Sequence, residues 1–376
     1  MSPVALHPAR VLTPDGFQPE WCVLVDGGLI VDVMPSRKCP ANLRQRKLDG
    51  DLLPGFIDLQ VNGGGGILFN DHPTVDGIVA IGEAHRRFGT TGFLPTLISD
   101  DLGTVERAIR AVDVAIEQGV PGVLGIHIEG PFLNPARKGI HDASRFRTLD
   151  EQALRLLTSA RHGRVLVTLA PELAPPGAIR ALVDRGVVVA AGHTAATYDD
   201  VQAAFDEGLG GFTHLFNAMT QLGSREPGAV GAALEHRPSW CGLIVDGHHV
   251  HPATLRVALA AKGAERLVLV TDAMPTVGSE QREFWLAGQR IVCDGDRCTG
   301  PDGTLAGSNL NMATAVRNAV SLMQVDLATA VRMASDVPAS ILGLAAERGA
   351  IRAGMRADLV LVDPGNNVVE SWIAGR

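Results

Sequence analysis

Lysine is scarce in this chain of 376 residues, and the four that occur are spread along it. They are Lys38, Lys47, Lys138 and Lys262. The formal net charge is −8, which argues against a general nucleic-acid binder. No stretch of about 18 apolar residues occurs, so we expect no membrane-spanning segment. The N-terminal stretch MSPVALHPARVLTPDG also lacks the apolar centre of a signal peptide.

Cysteine is also sparse, and its spacing is uninformative. The five residues are Cys22, Cys39, Cys241, Cys293 and Cys298, and no two of them form a CxxC pair. An odd, scattered set is typical of reduced thiols in a cytoplasmic protein. The remaining composition, 46% hydrophobic and 20% charged, is that of a globular protein.

Short apolar runs alternate with helical patterns through the middle of the chain. The runs cover 57–62, 92–96, 123–129, 165–170, 187–193, 211–214, 241–247 and 267–272. Helices are predicted between most of them, at about 74–88, 101–118, 149–160, 177–185, 198–207 and 252–262, whereas the link 214–241 looks irregular. Eight such units predict a (β/α)8 barrel of the TIM type. A doubly wound open sheet is the alternative fold.

Both ends of the chain look different from the middle. Residues 1–50 and 346–376 contain short strands and turns, and WCVLVDGGLIVDVMP is typical of a hairpin. We therefore predict a barrel over 51–345 and a small β-sandwich built from the two ends. Within the barrel, about 276–305 resembles an inserted hairpin with Asp-Gly turns, and helices are predicted at about 309–324 and 327–343.

Polar side chains stand where the predicted barrel strands end, which is where barrel active sites form. They are Gln60, Asn62, Glu129, His193, His214 and Asp272. Two histidines and a glutamate are a familiar zinc-binding set with an open fourth position, and Asp272 is the candidate for proton transfer. Taken singly, each histidine is more simply a core residue, and Asp272 could cap a helix.

Gln60 and Asn62 replace a pair that many metal barrels fill with His-x-His to bind a second metal, often bridged by a carboxylated lysine. Amides are weak ligands for zinc-like ions, and no lysine falls at a predicted strand end. The sequence therefore predicts one divalent metal ion per subunit, zinc first, with iron, cobalt or manganese as alternatives. The amides would then hydrogen-bond within the pocket or simply structure the loop Gly63–Gly66.

Seven motifs, in this order, resemble the N-acetylglucosamine-6-phosphate deacetylases of the amidohydrolase superfamily. They are GFIDLQVNGGGG, HIEGPFLNPARKGIH, AGHT, THLFNAM, DGHHV, VTDAM and LAGSNLNM. The resemblance runs from about residue 50 to the end of the chain. It implies a metal-dependent barrel with a flanking β-sandwich, a phosphorylated N-acetyl amino sugar as substrate, release of acetate, and a homodimer.

The resemblance also implies roles for individual residues. Glu129, His193 and His214 would bind the metal, Asp272 would act as base and then as acid, and His141 would polarise the acetamide carbonyl. The implied substrate contacts are Asn217, Ala218, Arg225, His249, Leu305, Ala306 and Gly307. Arg225 and the histidines around position 249 could equally be solvent-exposed surface groups, and the residues leave His248 and His251 open.

Three alternatives remain for function. The substrate could be the galactosamine epimer, because sequence does not separate the two sugars. The chain could hydrolyse a cyclic amide, as dihydroorotase does, although such enzymes usually need the second metal. A barrel that binds without catalysis is the third alternative, and retention of the whole His, His, Glu and Asp set argues against it.

Overall fold

The computed structural model describes residues 3–376, and an eight-stranded parallel sheet forms its centre. The strands follow one another around the sheet in chain order. Their bounds are Phe56–Val61, Thr90–Ile98, Gly125–Glu129, Arg164–Leu169, Val188–Ala191, Gly211–Phe212, Trp240–Leu243 and Leu267–Leu269. Consecutive parallel order is that of a (β/α)8 barrel, so the predicted fold is confirmed and the doubly wound alternative is wrong.

The first and last barrel strands meet just beyond the strands themselves. The backbone N–H of Asp272 donates to the carbonyl of Gln60 at 3.0 Å, and Val61 forms a parallel bridge with Ala273. This seam nearly closes the barrel at the end where the predicted functional residues lie. Helices cover the outside, so the strands are buried on both faces, as the unbroken burial of Thr90–Ile98 shows.

The outer helices begin at residues that can satisfy the free N–H groups of a first turn. Thr74, Asp101, Asp150 and Thr197 each accept a backbone hydrogen bond there. The helices are Val75–Arg86, Leu102–Glu117, Glu151–Leu157, Ala178–Val183, Tyr198–Asp206, Gly228–Glu235, Pro252–Lys262, Met312–Asn318, Leu327–Ala334 and Asp336–Ile341. No helix among residues 3–376 is both long and apolar enough to cross a membrane.

Two helix predictions need correction. The link 214–241 was expected to be irregular, yet Gly228–Glu235 is a helix, and residues 228–234 are buried. A helix buried on every side has no polar face, so the amphipathic pattern that marks the others is missing. The predicted helix 327–343 is two helices that meet at Ser335.

Strands from both ends of the chain build two flanking sheets. One contains Leu29–Pro35, Trp21–Asp26, Val4–His7 and Arg44–Lys47, in that spatial order. The other contains Val368–Trp372, Leu359–Val362, Asp51–Pro54, Arg10–Thr13 and Gly16–Pro19. Leu6, Val23, Leu52 and Leu359 belong to one shared apolar core, which is the sandwich arrangement that the terminal strands predicted.

The insert near the C-terminal side of the barrel is larger than the predicted hairpin. Four antiparallel strands, Glu283–Leu286, Gln289–Asp294, Arg297–Thr299 and Leu305–Ser308, lie side by side. Cys293 and Cys298 face each other across two of them and form a disulfide. The expectation of five reduced thiols is therefore wrong for this pair, because strand register, rather than CxxC spacing, brings the two sulfur atoms together.

Candidate active site

Three buried side chains converge at the carboxyl end of the barrel. Glu129 is the last residue of the third strand, and His193 and His214 follow the fifth and sixth strands. Nε2 of His214 lies 3.0 Å from Oε1 of Glu129, and Nε2 of His193 lies 3.3 Å from the same oxygen. The two Nε2 atoms are 3.1 Å apart. One small volume is thus faced by two imidazole nitrogens and a carboxylate oxygen.

The donor chemistry of this cluster fits a divalent metal ion. Nδ1 of His193 donates to the carbonyl of Arg137 at 2.9 Å, so its Nε2 carries the lone pair. Burial alone would raise the pKa of Glu129, but its contacts with His193 and His214 hold that pKa well below its usual range. Glu129, His193 and His214 can therefore offer an anionic oxygen and imidazole nitrogens to one ion.

The backbone has an unusual conformation where these residues follow their strands. His193, His214 and Asp272 all have positive φ angles, of 48°, 33° and 53°. Residues other than glycine rarely adopt this conformation, which costs free energy and concentrates at functional sites. Here all three side chains line the candidate cavity.

The paired amides link the carboxylates of the site. Nε2 of Gln60 donates to Oε2 of Glu129 and to Oδ1 of Asp272, both at 3.0 Å. Nδ2 of Asn62 donates to the same Oδ1 at 2.6 Å. The amides therefore occupy Oδ1 of Asp272 and leave its other oxygen for the cavity. Burial and the charge of Glu129 raise the pKa of Asp272 to about 6.

His141 lies beside the cluster, with its ring centre 4.4 Å from that of His193. Its Nδ1 faces the hydroxyl of Ser99 at 2.8 Å and the backbone N–H of Ser99 at 3.4 Å. A backbone N–H can only donate, so Nδ1 accepts and the ring proton sits on Nε2. Burial and the neighbouring His193 lower the pKa of His141 to about 3, which makes it a neutral donor.

His249 is oriented by a carboxylate that belongs to its own loop. Its Nδ1 donates to Oδ2 of Asp246 at 2.6 Å, while the backbone N–H groups of His248 and His249 donate to Oδ1. Although burial opposes it, these contacts lower the pKa of Asp246. The arrangement leaves Nε2 of His249 free to accept a hydrogen bond in the cavity.

A cavity of about 490 Å³ opens above these residues. It is lined by every predicted metal-binding residue and by Asp272, His141, Asn217, Ala218, His249, Leu305 and Gly307. Ala306 does not line it, because side chains alternate along the strand and that of Ala306 packs inside the insert. Arg137 and Lys138 add two cationic side chains to the rim.

The predicted contact Arg225 and the two histidines left open, His248 and His251, do not line the cavity. Arg225 is exposed. His248 is exposed, and His251 instead accepts a hydrogen bond from the N–H of Ala253 at the start of a helix.

The sequence did not identify Ser99 and Asp246, which orient His141 and His249. Ser99 follows a strand that extends to Ile98, two residues beyond the predicted run 92–96, so the sequence does not place Ser99 at a strand end. Asp246 had a visible signal, because it precedes His249 by three residues in DGHHV. The sequence identifies Gln60, Asn62 and Asp272 as candidates, but it does not predict that both amides donate to Asp272.

Comparisons with known proteins identify the family to which this chain is similar. Residues 52–376 match the Amidohydrolase family. The N-acetylgalactosamine-6-phosphate deacetylase of Shewanella sp. (strain ANA-3) is 42% identical over 98% of this chain and 94% of its own length. The N-acetylglucosamine-6-phosphate deacetylase of Haemophilus influenzae is 32% identical over 95% of this chain and 94% of its own.

Solved structures give the same relationship in three dimensions. A mutant N-acetyl-D-glucosamine-6-phosphate deacetylase from Mycobacterium smegmatis, in complex with N-acetyl-D-glucosamine-6-phosphate, matches with a TM-score of 0.93. The two are 34% identical, and the match covers 100% of this chain and 99% of that one. The chain therefore belongs to the amidohydrolase family, in the branch whose members are the N-acetylglucosamine- and N-acetylgalactosamine-6-phosphate deacetylases.

Proposed function

We propose that this protein hydrolyses the acetamide of N-acetylglucosamine 6-phosphate, which yields glucosamine 6-phosphate and acetate. The observation that carries the proposal is the convergence of Glu129, His193 and His214 beside Asp272 in one cavity. The relatives of this chain indicate the substrate class, because they are named as deacetylases of amino-sugar phosphates.

Glu129, His193 and His214 would hold one divalent metal ion, and we propose zinc, with iron, cobalt or manganese able to replace it. A bound ion supplies Lewis acidity, which polarises an amide carbonyl and lowers the pKa of water. The amides Gln60 and Asn62 favour a single ion, because they donate hydrogen bonds to Glu129 and Asp272 through their nitrogens.

The residues of the chain divide the chemistry between them. The oxygen of Asp272 that the amides leave free takes a proton from the attacking water, and Asp272 then gives this proton to the departing amine. Nε2–H of His141 donates to the carbonyl oxygen as negative charge develops there, a contribution commonly worth about 3 kcal/mol. Ser99 keeps that proton on Nε2.

The phosphate end of the substrate would meet Asn217 and the backbone of Ala218, while Nε2 of His249 would accept a hydrogen bond from a hydroxyl of the sugar. Arg137 and Lys138 stand on the same rim. Arg225 does not line the cavity of its own chain, and it would join them from a second copy, through an exposed segment that includes Leu222, which is 57% exposed. We therefore include a homodimer in the proposal, and we place the reaction in the cytoplasm, where a charged sugar phosphate is retained by the membrane.

The galactosamine epimer is the second candidate substrate. A specific observation favours it, namely that the relative from Shewanella, at 42% identity, is an N-acetylgalactosamine-6-phosphate deacetylase. The same hydrolytic residues would serve both epimers, so only the contacts around the sugar ring would differ.

Reconstitution with zinc, iron, cobalt or manganese, followed by an acetate-release assay, tests the proposal. N-acetylglucosamine 6-phosphate, its galactosamine epimer and unphosphorylated N-acetylglucosamine are compared as substrates. We expect equal amounts of acetate and free amine, a higher kcat/KM for the phosphorylated sugars, and metal bound at one ion per site. No acetate from any of the three, with any of the four metals, contradicts the proposal and supports the non-catalytic alternative.

A further inference from the structure

A second group of metal-ligating side chains lies in the terminal sandwich, on the sheet that contains Val4–His7. His7, Cys22 and Cys39 each place one ligand atom within 4.8 Å of the others. Ala5 pairs with Leu24 across adjacent strands, so His7 and Cys22 point to the same face of the sheet. Cys39 reaches that face from the turn after Leu29–Pro35. None of the three lines the candidate active site.

Gln45 determines which ring nitrogen of His7 carries the proton. Its side-chain Nε2 donates to the carbonyls of Pro40 and Leu43, both at 3.0 Å, so its Oε1 faces the cluster. That oxygen lies 2.6 Å from Nε2 of His7 and can only accept. The proton of His7 therefore sits on Nε2, and Nδ1 accepts a hydrogen bond from the hydroxyl of Ser36 at 3.2 Å, which a metal ion at Nδ1 would replace. An outer hydrogen bond on the distal ring nitrogen is the usual arrangement of a metal-binding histidine.

The surroundings are those of a thiophilic ion. Cys22 is fully buried, and Met34 stands opposite it on the next strand and packs against the same cluster. Sulfur and imidazole ligands together suit zinc and other thiophilic metals better than magnesium or calcium. Without a metal, burial and the neighbouring Cys39 raise the pKa of the Cys22 thiol to about 12, so the Cys22 thiol stays protonated.

We propose that His7, Cys22 and Cys39 form a second metal site, for zinc or another thiophilic divalent ion. Binding converts both thiols to thiolates and releases their two protons, so the ion exchanges for two hydrogen ions. The ion would join the strands Val4–His7 and Trp21–Asp26 to the turn that carries Cys39. Its expected effect is to stabilise this sheet, because binding to the folded chain adds to the stability of the fold.

Cobalt(II) absorption spectroscopy on the reduced full-length protein tests the site. A thiolate ligand gives cobalt an intense sulfur-to-metal charge-transfer band, and the candidate active site has no sulfur ligand. The reductant also opens the disulfide between Cys293 and Cys298, so every protein in this test carries Cys293→Ser and Cys298→Ser, and Cys241 is buried in the barrel core. We expect the band in the parent protein and in Cys241→Ser, and its loss in Cys39→Ser and in Cys22→Ser.

Stability and activity measurements complete the test. Zinc is expected to raise Tm of the parent by more than it raises Tm of Cys39→Ser, whereas acetate release by Cys39→Ser is expected to equal that of the parent. Cys39 is partly exposed, so this variant should fold even if Cys22→Ser does not. A band that survives Cys39→Ser overturns the proposal. The proposal is also overturned if the band is absent while thiol titration finds Cys22 and Cys39 reduced. A Cys22–Cys39 disulfide that persists under reductant would overturn it as well.

Discussion

Gln60 and Asp272 are joined twice across the seam of the barrel. The backbone N–H of Asp272 donates to the carbonyl of Gln60, and the side-chain amide of Gln60 donates back to Oδ1 of Asp272, both at 3.0 Å. The same amide reaches Glu129. The contact that closes the sheet thus also sets the distance between the candidate base and a candidate metal-binding residue.

Gln60→Glu should be more harmful than Gln60→Ala. Glutamate would place a third carboxylate within about 3 Å of two others, and like charges at that distance raise pKa values. We expect the acidic limb of the kcat/KM profile to move to higher pH, with a loss of activity that approaches about tenfold for each pKa unit at pH values below the pKa. Gln60→Ala removes the donor without adding charge, so identical pH profiles for the two variants would contradict this account.

Asp272→Asn should nearly abolish turnover and leave binding intact. An amide of the same shape cannot take or return a proton, and loss of such a group typically costs about a hundredfold to ten-thousandfold in rate. Acetate release measures the loss, while calorimetry with N-acetylglucosamine 6-phosphate and metal analysis show whether the site is preserved. A variant with near-parental kcat would remove Asp272 from the proposed role.

Asp246→Asn should raise KM with little change in kcat. The carboxylate keeps the Nδ1 proton of His249 in place, and loss of such a supporting group commonly weakens a site by about tenfold or more. His249→Gln is the matched variant, and the double variant should be no worse than the more affected single one, because both changes remove one contact. Additive effects would show that the two residues act separately.

The buried carboxyl group of Asp58 is expected to make the free energy of unfolding depend on pH. Burial raises its pKa from 3.8 to about 7, although Thr271 and the N–H of Gln60 donate to it. The folded protein therefore holds this proton more tightly than the unfolded chain. Its contribution to the free energy of unfolding falls as pH rises from about 4 to about 7, and is level above that range.

Asp58→Asn should remove this dependence, because an amide stays neutral at every pH. Urea unfolding at about pH 5 and about pH 8 measures it, and the parent should lose stability relative to the variant between these values. If the free energy of unfolding changes by the same amount in both proteins, Asp58 is already ionised in the folded protein at about pH 5.

Local pattern was enough to predict much of the fold. Eight apolar runs and their intervening helices are each a local signal, and the polar residues that follow the runs are fixed by chain position. This is why Glu129, His193, His214 and Asp272 could be proposed together before any coordinates. The pattern failed where burial is complete, as in Gly228–Glu235, and where a run was ended too early, as before Ser99.

The sequence by itself determined which residues stand at the strand ends, because strand order and side-chain alternation follow from spacing along the chain. Only the tertiary structure decided which of them meet. Closure of the barrel brings Gln60 to Asp272 across 212 residues, and strand register joins Cys293 to Cys298 and turns Ala306 away from the cavity. Such contacts depend on how whole elements pack, which local composition does not encode.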